Sequence, residues 1–363
     1  MKINDVLQAL EQWAPRSLQD SYDNSGLIAG DRDKVLTKAL ICLDCIEAVI
    51  DEAIMTGCNL IISHHPIVFS GLKKITGETY PERVLIKAIK HDIIIYAIHT
   101  NLDNVISGVS KEMADRLGLE NCRVLRPLAG VLKKLTFFVP GEAANKVRDA
   151  IFAAGAGSIG NYSECSFNVE GKGTFKPGLK SNPYSGSPDV RSIENEQRIE
   201  VIAPSWNQSW ITSALQEAHP YEEIAFDWTN IENTLQDTGP GIVGEFPSAV
   251  SSKEFLRKIK DIFGGMVRHT NLIKRDINKV ALCGGSGSFL LPDAIRAGAD
   301  IFLTADFKYH QFFDAEEKII IADIGHFESE QFTMDLILRY LNDFFPNFAG
   351  RLTEIHTNPI HYL

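Results

Sequence analysis

No apolar run in the chain approaches the ~18 residues that a membrane span needs, and the opening MKINDVLQALEQWAP lacks the apolar centre of a secretory leader. A cytoplasmic protein without a membrane phase is the expectation. Positive charge is also scarce: 36 Lys and Arg stand against 47 Asp and Glu, for a formal charge of -11. That balance argues against a broad nucleic-acid surface, which depends on an excess of basic side chains. An anionic ligand therefore requires a local positive centre. Cysteine is sparse, with six in 363 residues and one close pair, Cys42 and Cys45. No second pair completes a tetrahedral zinc site, and Cys42 lies in an apolar run where a thiol behaves as a small hydrophobe. No disulfide framework is implied.

What remains is a globular composition, 44% apolar and 23% charged, at a length that exceeds one ordinary core. The first segment opens with a helix in which Asn4 is the expected N-cap and Val6, Leu7 and Leu10 share a face. Ala39 to Leu43 reads as a buried strand, Ile46 to Met55 as a helix ending at Gly57, and Asn59 to Ile62 as another strand. A helix in PERVLIKAIKHD and the strand IIIYAIHT follow. The closing segment has the same grammar: KVALC, a glycine turn, the helix FLLPDAIRAGA, the strands DIFLT and KIIIADIGH, a long helix from about Phe327 to Phe345, and a last strand around Arg351 to His356. Continuous apolar strands separated by helices predict a parallel α/β sheet covered on both faces.

Between these segments the order becomes βαββαβ, that of the ferredoxin-like unit. KKLTFFVP, NYSECSFNVEG, QRIEVIAP and EEIAFDWTNI read as strands, GEAANKVRDAIFAAG and SWITSALQEAH as helices. GKGTFKPGLKSNPYSGSPD, rich in Gly, Pro and Ser, reads as a long mobile loop. Arg126-Pro127 and Gly239-Pro240-Gly241 are plausible borders. The expected organisation is one discontinuous α/β metal-binding domain, residues 1–125 and 239–363, interrupted by an inserted domain at residues 126–238.

Three clusters stand where ligands of open parallel sheets bind, at the carboxyl ends of strands. In IISHHP, Pro66 keeps His65 extended, so His64 and His65 point in opposite directions and suit two ions better than one. In HTNLDN, Asp103 follows a buried strand, and a carboxylate can bridge two cations; His99 stands close by. In GHFESE, His326 and Glu330 are four residues apart at a helix start, hence on one face. Each cluster alone has a structural reading: a polar strand end, a turn, or acids favoured by the positive end of a helix. Together they supply the mixed N and O donors that suit Zn, Mn, Fe or Co. Two carboxylates against two divalent ions leave the filled site positive, able to acidify a bridging water and to accept a phosphate or carboxylate. Weaker features are CGGSGSF, a phosphate cradle or simply a tight turn, and TADFKYH, whose Thr304, Asp306 and His310 line the pocket or cap a helix.

SYDNSGL around Asp23, IISHHP, HTNLDN, the GGSG turn, TADFKYH and DIGHFESE occur in one order across both outer segments, and in this the chain resembles the GTP cyclohydrolase 1 type 2 homologues, also called NIF-three-like proteins. The family's dinuclear metal positions carry over onto His64, His65, Asp103, His326 and Glu330, each with the expected residue type. The one departure seen is at Ala305, where TAD stands for the more usual TGD. GSIGNYSECSF, GTFKPG and HPYEE resemble the inserted PII/CutA-like domain of the longer members. The resemblance implies two divalent metal ions per subunit, zinc first and iron, manganese or cobalt as alternatives. It also implies a toroidal homo-hexamer with the inserted domains capping its openings.

The leading expectation is a metal-dependent hydrolase in which a metal-bound hydroxide attacks a purine-nucleotide ring carbon, with His99 or His310 passing protons. Phosphoester hydrolysis by the same ions is the nearest alternative. A non-catalytic metal-binding regulatory scaffold is the rival from another class.

Overall fold

The strands that matter most are four-residue runs with every side chain buried: Ala39–Cys42, Leu60–Ser63, Ile94–Ala97 and Ile320–Asp323. Side chains alternate across a strand, so such a run buries completely only when both sheet faces are covered. The computed structural model, which describes all 363 residues, shows how this is done. Ile41, Ile62, Ile94 and Tyr96 pack on one face against Val6, Leu7 and Leu10 of the helix Ile3–Trp13 and against Ile337 and Leu341. Leu40, Ile61 and Ile95 pack on the other face against Val49, Ile50, Val84 and Ala88 of the helices Glu47–Thr56 and Tyr80–Lys90. Each aliphatic side chain so buried contributes roughly 1.5–3 kcal/mol.

The chain divides into two compact units, Met1–Pro127 with Asp237–Leu363, and Leu128–Gln236. The outer unit holds two mixed sheets. In the five-stranded one, Ala39–Cys42 lies between Leu60–Ser63 and Gly350–Leu352, and Ile94–Ala97 follows, all parallel; Gly26–Ala29 is added antiparallel at the edge. In the six-stranded one, Asp276–Ser286, Ile301–Ala305 and Ile320–Asp323 are parallel, Arg268–His269 and Ile242–Ser251 flank them antiparallel, and Glu120–Val124 pairs antiparallel with Ile242–Ser251 at the edge. The purely parallel sheet expected from the sequence is thus corrected to a mixed one. Gly26–Ala29 is short and half-buried, and Glu120–Val124, ENCRV, is largely exposed, so neither carries a buried-strand signature.

Local boundaries also differ. The first helix starts at Ile3, with Lys2 as its cap and Asp5 accepting the Lys2 backbone N–H at 2.8 Å, so Asn4 lies inside the helix. The long late helix is broken into His326–Glu330 and Thr333–Phe344. The final strand is only Gly350–Leu352.

The middle unit is a four-stranded antiparallel sheet in the order Phe226–Ile231, Leu132–Pro140, Ser192–Pro204, Phe167–Phe175. Leu135, Phe137, Ile199 and Val201 face Val147 and Ile151 of the helix Ala144–Ala153 and Ile211 and Leu215 of the helix Gln208–Ala218. Gly171 to Phe175, expected in a loop, instead pair with Glu196 to Ser192. Backbone pairing needs no side chain, which is how a glycine-rich stretch extends a hairpin arm. No helix is long and apolar enough to cross a membrane.

Candidate metal centre

His64 and His65 follow the strand Leu60–Ser63 in a bend rather than on the extended backbone expected from Pro66, their N–H groups donated to the Cys42 and Leu43 carbonyls at 3.1 and 3.0 Å. Asp103 ends the short helix Thr100–Asp103 that follows Ile94–Ala97. His326 and Glu330 bound the single turn His326–Glu330 after Ile320–Asp323. Carboxyl ends of parallel strands from both sheets of the outer unit thus deliver these side chains.

The histidines share one arrangement. His64 Nδ1 donates to the Ile98 carbonyl at 2.8 Å, His65 Nδ1 to Asp44 Oδ1 at 2.8 Å, His99 Nδ1 to Asp23 Oδ1 at 2.8 Å and His326 Nδ1 to Asp306 Oδ2 at 2.6 Å. All four acceptors are carbonyl or carboxylate oxygens, so a proton sits on Nδ1, and in the neutral imidazole Nε2 is the nitrogen that carries the lone pair. This is how metal-binding imidazoles are oriented and made more basic. The Nε2 atoms of His65 and His326 approach to 3.2 Å, and Glu330 Oε2 lies 3.0 and 3.1 Å from them. His64 Nε2 is 3.8 Å from Asp103 Oδ1 and 3.7 Å from Glu330 Oε1. His64 Nε2, Asp103 Oδ1 and Glu330 Oε2 are buried without a hydrogen-bond partner. Lone pairs facing one another in a buried site repel unless a proton or cation lies between them, so the donor set fits a divalent metal.

Three overlapping groups have their donor atoms within 4.8 Å of one another: His65, His326 and Glu330; His64, Asp103 and Glu330; and His64, His65 and His99. Glu330 belongs to two of them. Burial, and then the charge of Glu330, push the Asp103 carboxyl up to about 8. Burial would lower His65 and His326, but Glu330 together with Asp44 and Asp306 outweighs it, raising them to about 9 and about 11. Burial would likewise raise Glu330, yet His326 and His65 hold it well below the usual carboxylate range. Without a metal the cluster thus retains protons, which a cation replaces on binding.

A cavity of about 680 Å³ opens beside the cluster, lined by His65, His99, Asp103, His326 and Glu330 and walled by aromatic side chains including Tyr22, Phe69 and Phe289. The glycine turn serves close approach. Gly285 has φ +60°, and a Cβ there would lie 2.2 Å from Glu330 Oε1. Its N–H is donated to Ser329 Oγ at 2.9 Å, so it is not free for a phosphate. Thr304 is buried and donates to the Gly285 carbonyl at 3.0 Å, while Asp306 orients His326. His310 is brought to none of this: it is exposed on the turn Tyr309–Ala315, against Tyr309 and Phe313, and does not line the cavity. Asp44 escaped the sequence reading, although it sits just beyond the strand Ala39–Cys42, the same kind of position that drew attention to His64.

The family model Duf34/NIF3 (NGG1p interacting factor 3) matches residues 1–359. The chain belongs to the DUF34/NIF3 family. Among DUF34/NIF3 relatives, it is 38% identical over 364 residues to a Halalkalibacterium halodurans protein named GTP cyclohydrolase 1 type 2 homolog, covering 99% of this chain and 98% of that one. A Bacillus subtilis protein of the same name is 36% identical, with the same coverage. A solved structure described as a Bacillus cereus protein related to NIF3 superposes with a TM-score of 0.86 at 34% identity, covering 100% of this chain and 99% of that one.

Proposed function

We propose that this DUF34/NIF3 protein is a metal-dependent hydrolase acting on a nucleotide, with two divalent cations held by His64, His65, Asp103, His326 and Glu330. The observation that carries this reading is the shared tautomer: every imidazole of the cluster has Nδ1 tied to an oxygen, which leaves the Nε2 atoms of His64, His65 and His326 for a cation. Such cations supply Lewis acidity and an acidified water. Glu330, common to two of the donor groups, would be the carboxylate shared between the two cations. His99, fixed by Asp23, has its Nε2 available to accept or return a proton at the cavity wall. The aromatic walls suit the flat face of a purine base. The relatives' name supplies GTP as the first substrate to try, with opening of its imidazole ring as the reaction.

Zinc is the first metal expected, ahead of iron, manganese and cobalt. The middle unit, with its βαββαβ order, is proposed as an inserted ferredoxin-like module of the PII/CutA kind, and the assembly as a cytoplasmic homo-hexamer. Elemental analysis of the purified protein beside Glu330→Ala and His64→Ala tests the ligand set: both variants are expected to lose metal, and full retention in both refutes it. Product analysis tests the reaction. Formate released from GTP supports ring opening, phosphate alone reassigns the centre to phosphoester hydrolysis, and a metal-loaded protein that turns over no nucleotide overturns the hydrolase reading in favour of a scaffold.

A further inference from the structure

The middle unit contains a cavity of its own, about 510 Å³, which the reading above does not use. Its walls include Phe175, Tyr184 and Tyr221, with ring centroids 6.3 Å apart for Phe175 and Tyr221 and 5.9 Å for Tyr184 and Tyr221. Both phenols are committed as donors: Tyr221 to Glu196 Oε1 at 2.8 Å, and Tyr184 to Glu142. With their hydroxyls committed, the rings offer a ligand aromatic surface rather than donors, and each phenol lies beside a carboxylate.

Negative charge predominates in the cavity. Glu196, Glu222 and Glu223 line it, and the one cationic side chain there, Lys176, is paired with Asp189. The nearby cations Lys134 and Arg198 both pair with Glu200 and leave Glu196 without one. The Glu196 carboxylate is seated by an absence: a Cβ on Gly173 would fall 2.0 Å from its Oε2. The segment from Lys176 onward forms a wall tied to itself and to the bend that carries Glu222. Asp189 N–H reaches the Pro177 carbonyl at 2.8 Å, Ser181 Oγ the Gly178 carbonyl at 2.7 Å, and Asn182 N–H reaches Glu222 Oε1 at 3.0 Å.

We propose that this cavity binds a small organic cation, an alkylated ammonium held over the faces of Phe175, Tyr184 and Tyr221 with its charge answered by Glu196. Aromatic faces beside a carboxylate attract such a cation electrostatically and dispense with hydrogen-bond donors, which this cavity has already committed. An anionic nucleotide is repelled by three carboxylates. A divalent metal would leave the aromatic wall without a role.

Calorimetric titration of the full-length protein with choline chloride, beside its uncharged isostere 3,3-dimethylbutan-1-ol, tests the assignment. Saturable choline binding is expected, with the isostere weaker by about tenfold or more. Phe175→Leu and Glu196→Gln should each weaken choline by about fivefold or more while the metal content of the protein stays unchanged. Equal affinity for choline and the isostere overturns the proposal, as does the absence of choline binding up to about 10 mM. So does manganese binding that Glu196→Gln abolishes while choline binding persists in that variant.

Discussion

An imidazole can present a lone pair from only one nitrogen at a time, and the partner of the other nitrogen decides which. Asp44 plays this part for His65, and it is itself held by Thr357 Oγ1, which donates to Asp44 Oδ2 at 2.8 Å. Asp44→Asn can satisfy the same Nδ1–H but removes the charge that makes His65 a strong donor. Metal affinity is expected to fall on the order of 10–100-fold, measured by competition with a chromophoric chelator. Unchanged affinity would deny Asp44 that role. Gly285→Ala acts from the other side. A non-glycine residue at φ +60° costs about 1–3 kcal/mol, and the added Cβ displaces Glu330. Metal content below that of the wild type, in a protein that still melts cooperatively, is the expected result. The five candidate ligands were legible because each follows a recognisable apolar strand and two are spaced one helical turn apart. Their supports were less so: Asp44 lies 21 residues from His65, Asp23 lies 76 from His99, and the Ile98 carbonyl is invisible to any residue pattern.

At the scale of elements, the helix Tyr80–Lys90 shows how one carboxylate organises a segment. Glu82 accepts the backbone N–H groups of Thr76, Gly77 and Glu78 and the hydroxyls of Thr76 and Thr79, which gathers the preceding loop onto the helix start. The Thr76 bonds above all lower its carboxyl from 4.5 to about 2. A carboxyl lowered by folding stabilises fully above its unfolded value, and the contribution is lost as pH falls through 4.5 towards about 2. Amide exchange at residues 76–78, corrected for intrinsic rates, should therefore be slow at pH 6 and faster at pH 3. Glu82→Gln at pH 6 should exchange faster than the wild type, and the loss should no longer depend on pH. Equal protection in the variant and the wild type would refute the role. Elements with long apolar or amphipathic runs, such as Ile94–Ala97 and Ala144–Ala153, were readable in advance. Short antiparallel additions such as Gly26–Ala29, and the hairpin arm through Gly171 and Gly173, were not, because inter-strand pairing rather than side-chain pattern defines them.

For the whole molecule, the question is whether the metal centre depends on the middle unit. Leu128 and Ala129 pair with Leu235 and Thr234, so the chain enters and leaves that unit on adjacent antiparallel strands. Paired residues across such a ladder stand only about 4.5–5.5 Å apart, a gap that a short turn spans. Just outside, Val105 bridges to Thr238 and the Leu125 N–H reaches the Gly241 carbonyl at 2.9 Å, which holds the two outer segments together without help from residues 128–236. Every candidate ligand, each oxygen that orients an imidazole and the whole cavity lining belong to the outer unit. Replacing residues 128–236 with a short Gly-Asn turn should therefore give a protein that folds cooperatively and keeps the metal-to-chain ratio of the full-length protein, while losing choline binding. The loop-closure entropy of so long an insertion grows only slowly with length, so its removal carries no large destabilisation of its own. A shortened chain that folds but holds no metal would mean that the middle unit completes the centre, and that the five side chains are insufficient without it.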